Sequence, residues 1–347
     1  MKKRKSLFFI ILVILGLAVL GWLRTGKKAL QGAETAARSA TIFAMDTIMD
    51  IKLYGGEKEI LTKAEKRIKE LEAKLSVTDK NSDIYSLNQR GEAEVSKDTE
   101  ILLSKALALC EKTSGILDIS IYPVVRAWGF TTEEYQVPEE ETLRSILEKV
   151  DYRRIHKEDN KVRLEQGMEI DLGSVAKGYA ADELVYMLRK SGIASALLNL
   201  GGNVYALGTK PEGDSWKIAI QNPEGNGPLG VISLSDQAVV TSGSYERYFK
   251  DDKGKQYCHI MDPRTGYPAD SGLSSVTIIS ASALYADALS TTLFIKGLEK
   301  GIEFWRENRD FEAVFIDNHG KVYITPGLEE QFSFTEDFEN RKLQIIS

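Results

Sequence analysis

Between Glu57 and Leu75 apolar residues fall at positions 60, 61, 64, 68, 71 and 75, a three-and-four spacing that predicts an amphipathic helix with a solvated charged face. Ser96 to Thr113 predicts a second helix, built on Ile101, Leu102, Ala106, Leu109 and Cys110 and stopped by Gly115. Thr41 to Leu53 alternates apolar and polar residues in its second half and reads as one strand ended by Gly55-Gly56. Ser76 to Asn88 is polar and reads as a loop, and Pro138 to Val150 predicts a short helix. Lys161 to Asp171 predicts a hairpin strand that runs, across Gly173, into a helix ending near Gly192. After it, strands are predicted at 196–203, 203–208, 216–221, 230–234, 238–241, 245–250, 256–261 and 274–280, an antiparallel meander with Asp251-Asp252-Lys253-Gly254 as a hairpin turn. Helices at 283–294 and 300–308 and a hairpin around Asp317–Gly320 complete the pattern.

The longest uninterrupted apolar run lies elsewhere, from Leu7 to Leu23, directly after Lys2-Lys3-Arg4-Lys5. As a helix such a run rises about 25 Å, enough to span a hydrocarbon core with slight thinning. Basic residues ahead of it put the N-terminus in the cytoplasm and the rest of the chain outside, and no cysteine follows that could carry a lipid. An uncleaved anchor over residues 1–24 is the expectation; a signal cleaved near Ala36-Ala37 or Ser39-Ala40 is the alternative. Residues 25–40, small and polar with five alanines, read as a linker to the domain.

Composition narrows the function. The 347 residues are 43% hydrophobic and 28% charged, enough for one large domain or two intimate ones. A formal charge of -6, with no basic block beyond the extreme N-terminus, argues against nucleic acid as a partner. The two cysteines, Cys110 and Cys258, form no C-x-x-C pair and are expected as unbridged buried thiols.

Candidate chemistry gathers in three stretches. Asp171-Leu172-Gly173-Ser174-Val175-Ala176-Lys177-Gly178 leads into a helix whose N-terminal N–H groups and dipole can receive an anion such as phosphate. Its spacing matches neither the dinucleotide fingerprint nor the P-loop. Asp287 and Thr291, four apart on a helix, present a carboxylate and a hydroxyl on one face to a hard cation such as magnesium; capping or core packing is the plain alternative. His259, one of three histidines, precedes a polar turn and suits general acid–base work, its ordinary pKa lying near 6.5. Asp118, flanked by apolar residues, needs either backbone N–H partners or a ligand.

These stretches occur in a telling order. Met45-Asp46-Thr47, Leu75-Ser76 with Ser82-Asp83-Ile84, Gly115-Ile116-Leu117-Asp118, Trp128-Gly129-Phe130, Asp171 to Asp182, Asn199-Leu200-Gly201-Gly202-Asn203, Thr241-Ser242-Gly243-Ser244-Tyr245, His259 to Gly266 and Ala286 to Thr291 follow one another over residues 41–335. In that arrangement the chain resembles the ApbE family, FAD:protein FMN transferases that bind FAD with Mg2+ and attach its FMN half to a threonine or serine of a client protein. The resemblance implies an α+β fold of mostly antiparallel sheets with packed helices, a single catalytic domain behind the N-terminal membrane segment, and the meander agrees. It leaves 336–347 as a C-terminal tail. It implies an FAD site of Met45, Thr78, Ile116, Leu117, Asp118, Asp171, Lys177 and Met261, and a metal site of Ser174, through its backbone carbonyl, Asp287 and Thr291. His259 and Asp287 are the expected catalytic residues, and extracytoplasmic redox proteins the expected clients. Thr78 stands where the family often places a tyrosine against the flavin, Asp46 replaces a common glycine, and Ser290 replaces an aspartate of some members. The alternative is a relative that only binds FAD or hydrolyses it to FMN and AMP.

Overall fold

A computed structural model describes residues 37–225 and 227–347. The predicted membrane segment and most of the predicted linker lie outside these residues; among the described ones no helix is long and apolar enough to cross a membrane.

Among the described residues nine strands form the central sheet: β1 (Ala37–Ala44), β2 (Thr47–Tyr54), β3 (Ser195–Leu200), β4 (Asn203–Leu207), β5 (Gln237–Gly243), β6 (Leu273–Ser280), β7 (Glu312–Asp317), β8 (Val322–Ile324) and β9 (Leu343–Ile345). They lie side by side in chain order, antiparallel throughout except for the parallel pair β8–β9. Successive strand residues point to opposite faces, and both faces are apolar. Ala238 and Val240 of β5 join Val276 and Ile278 of β6 in the main core, while their neighbours Val239 and Ile279 enter a second core on the other side.

Helices cover the first face. The helices of the described residues are α1 (Glu59–Leu75), α2 (Asp83–Arg90), α3 (Lys97–Lys112), α4 (Tyr122–Ala127), α5 (Glu140–Leu147), α6 (Gly173–Lys190) and α7 (Ala283–Asn308), of which α4 and α5 pack apart from the sheet, Val124 and Leu143 joining Trp128 and Phe130 in a separate cluster. Apolar residues of α1, α3, α6 and α7 pack in the main core. The second face is covered by a three-stranded antiparallel sheet, 332–334 beside 228–234 beside 216–221, which contributes Trp216, Ile218 and Ile220. The outcome is an α+β sandwich of helices, large sheet and small sheet.

Several expectations are corrected. The strand predicted over 41–53 is two strands joined by Met45 and Asp46, both left-handed with φ of 49° and 57°, as a two-residue hairpin turn requires. Without a glycine the turn left no signature in the sequence. The loop predicted over 76–88 contains α2, whose N-terminus is capped by Ser82 accepting the Tyr85 N–H at 2.9 Å. Only Ile84 and Leu87 are buried on this short helix, too few for a recognisable period. The strand predicted over 161–171 ends at Leu164, where it pairs with residues 155–158. The two helices predicted after Ala283 are found as predicted, parted by a kink at Gly297, whose φ is 79°, and together they make up α7. β1 starts within the predicted linker, so the alternative cleavage position at Ser39-Ala40 falls inside a strand. The predicted C-terminal tail is part of the domain, since it supplies β9. Both cysteines are buried and unbridged, as expected.

Candidate active site

Between the β1–β2 turn, the end of α1, the 116–131 segment and the start of α6, and closed by the 246–261 segment and α7, lies a cavity of 840 Å³. Pockets of roughly 300–1,000 Å³ suit organic ligands. Met45, Thr78, Ile116, Leu117, Asp118, Asp171, Ser174, Lys177, His259, Met261, Asp287 and Thr291 all line it, although they are drawn from the full length of the domain.

Asp287 and Thr291, the expected metal ligands, rest on the crossing of α6 and α7. A side chain at Gly178 would put its Cβ 2.4 Å from the Ala283 carbonyl oxygen, so glycine is what lets the helices meet. At the crossing the Gly178 N–H donates to Asp287 Oδ2 at 2.8 Å. One turn further along α6, Asp182 caps α7, accepting from the Ser282 hydroxyl at 2.8 Å and the N–H groups of Ala283 and Leu284 at 2.7 and 3.2 Å. Asp287 is buried, and burial raises its pKa against the pull of Lys177. Asn203 lies close enough to lower that pKa, yet its buried Nδ2 makes no hydrogen bond of normal geometry. Thr291 Oγ1 lies 3.3 Å from the Ser242 hydroxyl. Ser290 turns inward and bonds Ser242 at 2.8 Å and the Asp287 carbonyl at 2.9 Å, so it adds no donor to the cavity. Asp287 and Thr291 offer oxygen ligands, as magnesium demands, and the charge of a buried carboxylate is what a bound cation would offset.

At the start of α6, Asp171 Oδ1 accepts the Gly173 N–H at 2.9 Å, occupying a donor that a phosphate could have taken. Gly173 is not left-handed; its missing side chain makes room for this carboxylate, which a Cβ would approach to 3.2 Å. Burial raises the Asp171 pKa, while Lys177 and Arg247 oppose it. Asp118 resolves toward backbone satisfaction: Oδ1 accepts from the Ser120 N–H and hydroxyl at 2.8 and 2.6 Å, and Oδ2 from the Tyr152 N–H at 3.1 Å. It nonetheless faces the cavity, and together with Pro263 also borders a smaller one of 430 Å³.

His259 is half-buried, with Nδ1 3.2 Å from the Arg247 carbonyl oxygen. With Nδ1 as donor, Nε2 keeps its lone pair. Burial first, then the charges of Lys177 and Arg247, push its pKa down to about 4, away from the ordinary value expected from the sequence.

Glu246 and Arg247 were not anticipated, although they directly follow the Thr241–Tyr245 motif. Both line the cavity, and burial pushes Glu246 up to about 7, aided by Asp287 and opposed by Lys177. Arg247 donates to the Phe130 carbonyl, tying the His259 segment to the aromatic cluster of Trp128, Phe130, Phe249 and Tyr257.

Among proteins of known name, the FAD:protein FMN transferase of Treponema pallidum is 36% identical over 76% of this chain and 78% of its own. That of Klebsiella pneumoniae is 34% identical over 82% of this chain and 90% of its own. The ApbE protein of Thermotoga maritima superposes with a TM-score of 0.78 at 30% identity, covering 88% of this chain and 98% of its own. The flavin transferase ApbE of Vibrio cholerae gives 0.77 at 27% identity, covering 85% of this chain and 100% of its own. The ApbE family model matches residues 45–315, which takes in every cavity residue named above, and on that match the chain belongs to the ApbE family.

Proposed function

We propose that this chain transfers the FMN moiety of FAD to a threonine or serine hydroxyl of client proteins, releasing AMP, with Mg2+ as cofactor. The observation that carries the reading is the meeting, in one cavity, of an oxygen-only donor pair on α7, the Lys177 ammonium and a neutral imidazole. Asp287 and Thr291, with the Ser174 carbonyl, would hold Mg2+, which when bound stabilises charge on the pyrophosphate. Lys177 adds a positive charge for the same phosphates. The acceptor oxygen bonds to the FMN phosphorus, the bond from that phosphorus to the bridging oxygen breaks, and AMP leaves with that oxygen. The hydroxyl proton passes to His259 Nε2, the free nitrogen of the ring.

The test incubates the full-length chain with FAD, Mg2+ and an acceptor polypeptide and looks for a flavin-mass adduct. AMP with free FMN and no adduct would mean hydrolysis. Asp287→Ala or a chelator is expected to abolish transfer, and full activity in chelator would overturn the metal's role. The basic N-terminus and the apolar run after it support a domain held outside the cytoplasmic membrane. Protease added to intact cells should then degrade it, whereas protection until lysis would reverse that topology.

A further inference from the structure

The Asn199–Asn203 motif forms the hairpin between β3 and β4. Its central residues Gly201 and Gly202 are left-handed, with φ of 66° and 91°, and Asn199 Oδ1 accepts the Gly202 N–H at 3.0 Å. This tight turn sets Asn203, the first residue of β4, in the wall of the cavity. Along β4, Tyr205 and Leu207 enter the main core on the helix side, whereas Ala206 between them enters the second core. Asn203 shares the helix-side face, opposite the apolar Val240 of β5, and is only 3% exposed. Its Nδ2 is buried without a hydrogen-bond partner, which costs stability that a leucine of similar size would not cost. The fold therefore has no use for a polar group here, but the neighbouring Asp287 carboxylate does. Asp287 Oδ2 accepts the Gly178 N–H from α6 at 2.8 Å, and a second donor from β4 would fix the plane of the carboxylate. The terminal torsion of asparagine is broad, so a small turn of the amide brings Nδ2 onto it.

We propose that Asn203 is the positioning residue for Asp287: its amide nitrogen donates to the carboxylate from β4, as Gly178 does from α6, and so aims the remaining oxygen lone pairs at the cation. This rests on the reading of Asp287 as a ligand of Mg2+. Carboxylates that hold metals are aligned by such outer partners, whose loss typically weakens metal binding about 10–100-fold.

Mn2+, which takes the same oxygen ligands as Mg2+, is titrated into the full-length chain with and without FAD and its binding read by electron paramagnetic resonance. Thermal melting is recorded in chelator. Asn203→Leu keeps the volume and removes the donor. It should bind Mn2+ about 10–100-fold more weakly than the wild type while melting in chelator at or above the wild-type temperature, a combination that a merely structural asparagine would not give. Wild-type Mn2+ affinity in Asn203→Leu would overturn the proposal. Should leucine lower the melting temperature or prevent folding, the pair Asn203→Ala and Asn203→Ser decides. Serine keeps a donor on a shorter arm and should bind Mn2+ more tightly than alanine; equal affinities in the two would overturn the proposal. A wild type that binds no Mn2+, with or without FAD, would overturn the reading of Asp287 as a metal ligand, and this inference with it.

Discussion

His259 is held neutral down to about pH 4, because burial and the neighbouring cations Lys177 and Arg247 disfavour its protonated form. A base acts in its neutral form, so its contribution is present above that pKa and is lost as the pH falls through it. For kcat/KM, which reports the free enzyme, His259 accordingly contributes no inflection near 6.5 and a fall only toward pH 4. The anionic pyrophosphate stabilises imidazolium, so the corresponding fall in kcat occurs at a higher pH. His259→Ala should reduce single-turnover flavinylation by about 10²–10⁴-fold while leaving FAD affinity near wild type. Unchanged transfer in the folded variant would remove His259 from the mechanism. Residue types at motif positions were legible because Asp287, Thr291 and His259 carry their chemistry in their identity. What was not legible is set by tertiary contact: the depressed pKa of His259, the raised one of Glu246, and the capping of α7 by Asp182, 100 residues away from Ser282 in the chain.

At the scale of elements, long periodic helices and the strands of the meander were readable because each buries one continuous face. The Met45–Asp46 turn was not, since a left-handed methionine is held by its surroundings, among them the 2.5 Å bond from the Met45 N–H to Glu72 Oε1. The α6–α7 crossing has a single-residue sequence cause, Gly178, and offers a sharp test. In Gly178→Ala the new Cβ would meet the Ala283 oxygen at 2.4 Å and the Leu284 Cα at 2.7 Å, both backbone atoms that cannot rotate away. Overpacking of this kind costs about 1–3 kcal/mol, and separating the helices also removes the Gly178 N–H from Asp287. Thermal melting should show the loss, and the Mg2+ concentration needed for half-maximal activity should rise. Wild-type melting with unaltered Mg2+ dependence would show that the crossing tolerates the methyl group.

For the molecule as a whole, the sequential order of the central sheet explains why a meander could be read from the sequence, while the placement of the small sheet on its far face could not. The termini of the domain were the least legible. Residues 336–347 carry charges and no long apolar run, which reads as a tail, yet Leu343–Ile345 pairs in parallel with β8. Parallel pairing joins segments distant along the chain and leaves no local turn as a marker. Ile346 is 3% exposed within the main core, and its N–H donates to the Ile324 carbonyl at 2.8 Å. The neighbouring Leu343, by contrast, is 42% exposed. Truncating a buried isoleucine to alanine costs about 2–5 kcal/mol, whereas an exposed position away from special contacts moves stability by about 0.5 kcal/mol or less. Ile346→Ala should therefore lower the midpoint of urea unfolding well below that of Leu343→Ala, and deletion of 336–347 should lower it further by removing β9 altogether. Equal midpoints for the wild type, Ile346→Ala and the deletion would mean that this segment contributes nothing to the fold and that the sheet effectively ends at β8.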